Sequence, residues 1–227
     1  MVKWNPDVVV FESTTPVMKF YWKLTNDLKK VLPKTVFIMT GYHSMRKPEE
    51  TLGMSKTDVV VKSNHVDFAL SRLLPYIRDH KDWRKNCDIE GLTIRVKGSE
   101  YRDTGSFRQV EPVNKSPIVD RDLVGWENYA YENGNYLQTP GTYATSVIRD
   151  CMFGKCTFCR YNGPDLTFTK MKVENSLDEY EMLINKYHIK EIFDDSGVWY
   201  RGADARQFAQ GIIDRGLHKK GCYFGIN

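Results

Sequence analysis

Short uninterrupted apolar runs alternate with longer stretches in which apolar residues recur every three or four positions, and this alternation fills the first third of the chain. Val8–Phe11, Val36–Met39 and Val59–Val61 are continuous apolar runs, the pattern of strands buried on both faces. Between the first two, Met18, Tyr21, Trp22, Leu24, Leu28 and Val31 recur at helical spacing until Pro33 stops them. A further helix is expected from about Asp67 to Leu74. Strands alternating with helices predict a parallel, doubly wound sheet. From Arg78 to about Pro140 the pattern loosens. Gly91–Val96 and Tyr101–Arg102 flank the turn signal Lys97-Gly98-Ser99-Glu100, which predicts a small hairpin. The remainder, with Pro112, Pro117, Pro140 and the aromatics Trp126, Tyr129, Tyr131 and Tyr136, reads as a connecting segment packed on a domain surface.

A second alternating block begins near Thr142. Tyr143–Ile148 is a candidate strand, and Ser176-Leu177-Asp178-Glu179 has the form of a capping box opening a helix to about Tyr187. Ile189–Phe193 is the next strand. A helix from Asp204 to Arg215, closed by Gly216, leads to a last strand at Cys222–Ile226. The expected division is therefore 1–77, 78–141 and 142–227.

Composition narrows the class. The chain has 227 residues, of which 41% are apolar and 13% aromatic, enough for packed cores. The net charge of +4 comes from 33 basic and 29 acidic residues that are interspersed, with no basic run longer than a pair such as Lys29-Lys30 or Lys219-Lys220. Nucleic-acid binding is not indicated. The amino terminus lacks an apolar signal region, and no run reaches the roughly 18 apolar residues of a membrane span. A cytoplasmic protein without membrane partners is the expectation.

Three of the five cysteines, Cys151, Cys156 and Cys159, fall within nine residues. Thiols at this density, in a chain without a disulfide framework, converge on a metal or an iron-sulfur cluster, and three ligands leave one coordination position open. A zinc knuckle completed by Cys222 or His188 is the alternative. Cys87 and Cys222 otherwise read as ordinary buried or loop thiols. Lys155 and Arg160 flank the cysteines, either as charges that tune a cluster or as solvated loop residues.

The spacing C-x4-C-x2-C, with Phe158 directly before the last cysteine, resembles the cluster loop of the radical S-adenosylmethionine enzymes, whose usual first gap is one residue shorter. With the loop placed between a strand and a helix, the chain resembles the B12-binding-domain radical S-adenosylmethionine proteins. Asn5-Pro6-Asp7-Val8-Val9 with Ser13-Thr14-Thr15 is similar to the middle of their cobalamin-binding domain, and Thr40-Gly41-Tyr42-His43 with Pro48-Glu49-Glu50 to their G-G-x-H…P-E-E turn. Arg149-Asp150-Cys151 onward and Lys190–Asp195 resemble their first two barrel strands.

The resemblance implies a partial Rossmann-like, cobalamin-binding-type α/β domain followed by the first part of a radical S-adenosylmethionine partial TIM barrel, an internal piece truncated at both ends. It implies a 4Fe-4S cluster on Cys151, Cys156 and Cys159, S-adenosylmethionine on the fourth iron, and a 5′-deoxyadenosyl radical that opens chemistry on a small-molecule substrate. An electron donor such as flavodoxin or ferredoxin, and cobalamin as a further cofactor, follow from the same resemblance. The D-x-H-x-x-G motif of the methionine-synthase type of cobalamin domain is absent. Phe158 is expected near the adenine. Asp194, Asp195 and Ser196 end the second barrel strand, where barrel sites are built, and match the family's contacts to the methionine amino group. A helix-capping turn is the other reading of these three residues. Ser13 and Gly41 end strands on the edge where a doubly wound sheet takes its ligand, or else serve plain turns. His43 reads as a hydrogen-bonded loop histidine. A corrinoid- or zinc-binding module without catalysis remains the alternative function.

Overall fold

In the computed structural model, which describes residues 2–107, 113–131, 136–144, 148–149, 151–159, 168–196 and 198–226, the apolar runs of the amino-terminal third become β1 (Val8–Glu12), β2 (Val36–Thr40) and β3 (Val59–Val61). They are joined by α1 (Met18–Val31), α2 (Tyr42–Arg46) and α3 (Pro48–Met54). The three strands pair in parallel, Val8 opposite Val36 and Ile38 opposite Val59. All five residues of β2 are buried because helices cover both faces. Phe37 and Met39 join Val9 and Phe11 beneath Met18 and Trp22 of α1. Val36 and Ile38 point the other way, with Val59 and Val61, toward Ala69 and Leu73 of α4 (Val66–Asp79) and Trp83 of α5 (Trp83–Asn86). Full burial of one such side chain stabilises by about 1.5–3 kcal/mol, which is why β2 carries no polar residue before Thr40.

The sequence ends α4 at Leu74, before Pro75, yet the helix runs on to Asp79. Pro75 is exposed, so its ring displaces nothing in the core and only one backbone bond is forgone. The hairpin expected in a connecting segment instead belongs to this sheet. β4 (Leu92–Lys97) pairs antiparallel with β3 and then with β5 (Glu100–Asp103), giving the order β1-β2-β3-β4-β5. Leu92 and Ile94 draw it there, because they complete the apolar layer under α4. The sheet is thus parallel-rich and mixed.

The chain divides into two compact units, residues 1–109 and 110–227. In the second, the short α6 (Glu127–Ala130) precedes β6 (Gly141–Tyr143), and β7 (Ile148–Arg149) pairs antiparallel with β8 (Thr169–Lys170) on the far side of the cysteines. Then follow α7 (Val173–Lys186), β9 (Glu191–Asp194), α8 (Ala203–Asp214) and β10 (Tyr223–Ile226). β6, β9 and β10 form a parallel sheet in the order β10-β9-β6. Its core joins Leu177, Tyr180 and Leu183 of α7 to Ile192, Phe208 and Leu217. A Cβ on Gly211 would stand 2.2 Å from Leu177 Cδ1, so the absence of a side chain there lets α8 close on α7.

Two sequence expectations shift here. The strand placed at Tyr143–Ile148 ends at Tyr143, and residues 145–147 lie outside the described residues. The capping box at Ser176 is not one: α7 begins at Val173, and Ser176 is buried inside the helix, bonded to the Tyr200 hydroxyl at 2.8 Å. Asn114, distant in sequence, braces the residue that precedes the helix, its Oδ1 accepting from Lys172 N at 2.5 Å. Among the described residues no helix is long and apolar enough to cross a membrane.

Candidate cofactor sites

Ser13 and Gly41 follow the carboxyl ends of β1 and β2, and the structure brings them together. Ser13 Oγ donates to Thr40 O at 3.0 Å and shares a 3.0 Å bond with Ser44 Oγ, while Ser13 N donates to Thr40 O at 2.9 Å. Gly41 has φ +96°, and a Cβ there would meet Ser13 O at 2.2 Å. Only glycine fits on both counts. His43 begins the next turn, its Nδ1 3.2 Å from Thr15 Oγ1 and its Nε2 3.6 Å from Glu50 Oε2. The edge is knitted to itself, so the Ser13 hydroxyl and Gly41 do not fit direct contact with a corrinoid.

In the second unit β9 carries Asp194 to its carboxyl end. Asp194 is fully buried, and its Oδ1 accepts from Ser196 N at 2.9 Å and from Ser196 Oγ. Its Oδ2 is buried without a hydrogen-bond partner, as is the Tyr180 hydroxyl. Burial pushes the Asp194 carboxyl up to about 6; the Ser196 bonds pull against this, and the charges of Glu179 and Asp195 add to it. Burial, with the Asp194 charge second, raises the Tyr180 phenol well above its ordinary value. Asp195 is exposed. The adjacent carboxylates therefore diverge, one into the core and one toward solvent.

The three cysteines of the loop form no disulfide and are of intermediate exposure, and Cys159 N donates to Cys156 O at 3.1 Å in a tight turn. Three thiols and no oxidised pair is a donor set suited to a cluster or a soft metal. Among the described residues, however, no three His, Cys, Asp or Glu side chains are grouped to hold an ion, so the thiols are adjacent without converging. Phe158 is 91% exposed. Asp150, Arg160 and Gly197 lie outside the described residues. His188 and Cys222 precede β9 and β10, at the edge where the parallel strands begin, whereas the cysteines follow the end of β6. That separation disfavours either as a fourth zinc ligand. Burial raises the thiols of Cys87 and Cys222, the latter to about 11, leaving both protonated at neutral pH.

Sequence reasoning missed Arg121, Glu179 and Asn114. Arg121 Nη2 donates to Glu179 Oε1 at 2.8 Å and to Tyr143 O at 2.9 Å, with both charged side chains buried. A signal was present: Glu179 falls on the stripe of α7 that buries Ser176, Tyr180 and Leu183, and a charge on such a stripe requires a buried partner.

Comparison with known proteins bears on the fold. No family model matches the chain. An uncharacterized methyltransferase from Pyrococcus horikoshii is 25% identical over 200 residues, covering 84% of this chain and 39% of that protein. Among solved structures, the cobalamin-dependent S-adenosylmethionine radical enzyme OxsB superposes with a TM-score of 0.69 at 15% identity, covering 99% of this chain. The fold is shared. TsrM from Kitasatospora setae, a radical S-adenosylmethionine methyltransferase solved with tryptophan and a cofactor analogue, gives 0.68 at 14% identity over 95% of the chain. The chain spans 30% of the OxsB chain and 42% of TsrM.

Proposed function

We propose that this chain is part of an S-adenosylmethionine-dependent methyl-transferring enzyme of the radical type, with Cys151, Cys156 and Cys159 as the ligands of a 4Fe-4S cluster. The carrying observation is the set of three cysteines, none in a disulfide, on one loop after β6 of a parallel sheet, in a chain that shares its fold with OxsB and TsrM. Such a cluster, when bound, supplies an open iron for the amino and carboxylate groups of S-adenosylmethionine and an electron for its sulfonium. The chain's own residues bind and shield. Asp195, the exposed member of its pair, takes the amino group, while Asp194 and Ser196 shape the turn that presents it. Phe158 covers the adenine, and its exposed ring is apolar surface of the kind a bound base would bury. The substrate is a small molecule.

Cobalamin enters this reading through the sequence resemblance and through the neighbours, OxsB being cobalamin-dependent and TsrM having been solved with cobalamin. Because Ser13 and Gly41 are turned on each other, no step is assigned to it. Equilibrium dialysis against hydroxocobalamin tests its retention separately.

Anaerobic reconstitution with iron and sulfide should give a brown protein whose reduced EPR signal changes when S-adenosylmethionine is added. Cys156→Ala should abolish the cluster and Cys87→Ala should not, since Cys87 is buried in the core of the other unit. A colourless protein binding a single zinc would sink the reading.

A further inference from the structure

One short segment, 113–121, grips both ends of the stretch that carries the three cysteines. At its start, Asn114 Nδ2 donates to Lys170 O at 3.2 Å, and Asn114 Oδ1 accepts from Lys172 N at 2.5 Å and Asn175 Nδ2 at 3.3 Å. Lys170 ends β8, the first strand after the cysteines. At its finish, Arg121 Nη2 donates to the carbonyl of Tyr143, the last residue of β6 before that stretch, and to Glu179 Oε1. The next residue, Ala144, bonds through its N to Phe193 O at 2.9 Å, fixing the same strand end beside Asp194. Asn175 and Glu179, the two helix residues that receive Asn114 and Arg121, lie one turn apart on one face of α7. Between the grips, Ser116, Pro117 and Ile118 arch over a cavity of about 180 Å³ above Met171 and Asn175.

We propose that segment 113–121 is a strap that pre-organises the cysteine loop, with Asn114 and Arg121 as positioning residues that fix its exit and its entry. Three thiolates can meet at one centre only if the loop between them closes, and closing a loop whose ends are already fixed loses less conformational freedom than closing one with loose ends. Arginine suits the entry because one guanidinium nitrogen serves a carbonyl and a carboxylate together, where a lysine would act as a point charge. The proposal rests on the function proposed above only for the identity of the bound group.

The test titrates the reduced 227-residue chain with Cd²⁺ anaerobically, reading thiolate-to-metal absorbance, in wild type, Asn114→Ala, Arg121→Met and Arg121→Met/Glu179→Leu. Arg121→Met alone strands a buried carboxylate and should melt at lower temperature; the double variant removes both charges and should regain the wild-type midpoint. Asn114→Ala and the double variant should nevertheless bind Cd²⁺ on the order of tenfold more weakly. The rate of Cys222 alkylation should stay at the wild-type value in both. A double variant that binds Cd²⁺ as tightly as wild type would overturn the proposal, as would weakened binding matched by faster Cys222 alkylation, which would mark a general loosening of the unit. If the wild type binds Cd²⁺ through these thiols but its reconstituted cluster ignores S-adenosylmethionine, the proposed function fails and the strap stands. No binding at these cysteines in the wild type removes both.

Discussion

Asp194 sits in the core with one oxygen bonded to Ser196 and the other to nothing, and this arrangement opposes folding at neutral pH. Its folded value of about 6 lies above the ordinary 3.8, so between those values the native protein holds a proton that the unfolded chain has released. Stability falls as pH rises through that window, by roughly 3 kcal/mol at the shift indicated. Asp194→Asn keeps an acceptor for Ser196 and carries no charge. It should raise the thermal midpoint at pH 7.5 and leave it nearly unchanged at pH 4; equal shifts at both would show that buried charge is not the cause. A carboxylate kept at such cost beside a strand end is the pattern expected of a functional position. The sequence showed the Asp194-Asp195-Ser196 turn, since its place after an apolar run is visible. It could not show which carboxylate faces inward, because that depends on the registry of β9 against α7. Arg121 was illegible for a related reason: nothing local marks an arginine as buried until its partner, Glu179, is seen to share the core.

At the scale of elements, continuous apolar runs read correctly because burial on both faces removes the alternation that would otherwise mislead. Ends were less legible. The true start of α7 is held by Asn114 from far away in sequence, through the Lys172 amide just before it, whereas the local Ser176 imitates a cap and is spent inside the core on Tyr200. Pro75 lies just past the helix end expected at Leu74, yet α4 passes through it on an exposed face. Replacing it should therefore be favourable: Pro75→Ala restores a backbone donor and removes the clash with the preceding turn, and should stabilise the first unit by about 2 kcal/mol in urea unfolding. A loss of stability would mean that Pro75 is needed for the path of the chain toward α5.

On the scale of the whole molecule, the apolar clusters do not mix: two belong to residues 1–109 and the third to 110–227. β4 and β5 fall in the first unit because they complete its sheet. A polypeptide of residues 1–109 expressed alone should unfold in one cooperative urea transition and keep native-like circular dichroism; a non-cooperative melt would show that its core is incomplete without the rest. The strand order of that first sheet also carries a consequence in time. Thr93 meets Asp103 and Lys97 meets Glu100 across a tight turn, while Val8 must find Val36 across an intervening helix. Closing the short span costs less entropy, so the hairpin should form before β1 and β2 pair. In pulse-labelled hydrogen exchange during refolding, the amides of β4 and β5 should gain protection before those of β1, and the transient hairpin would offer its unpaired edge to other chains.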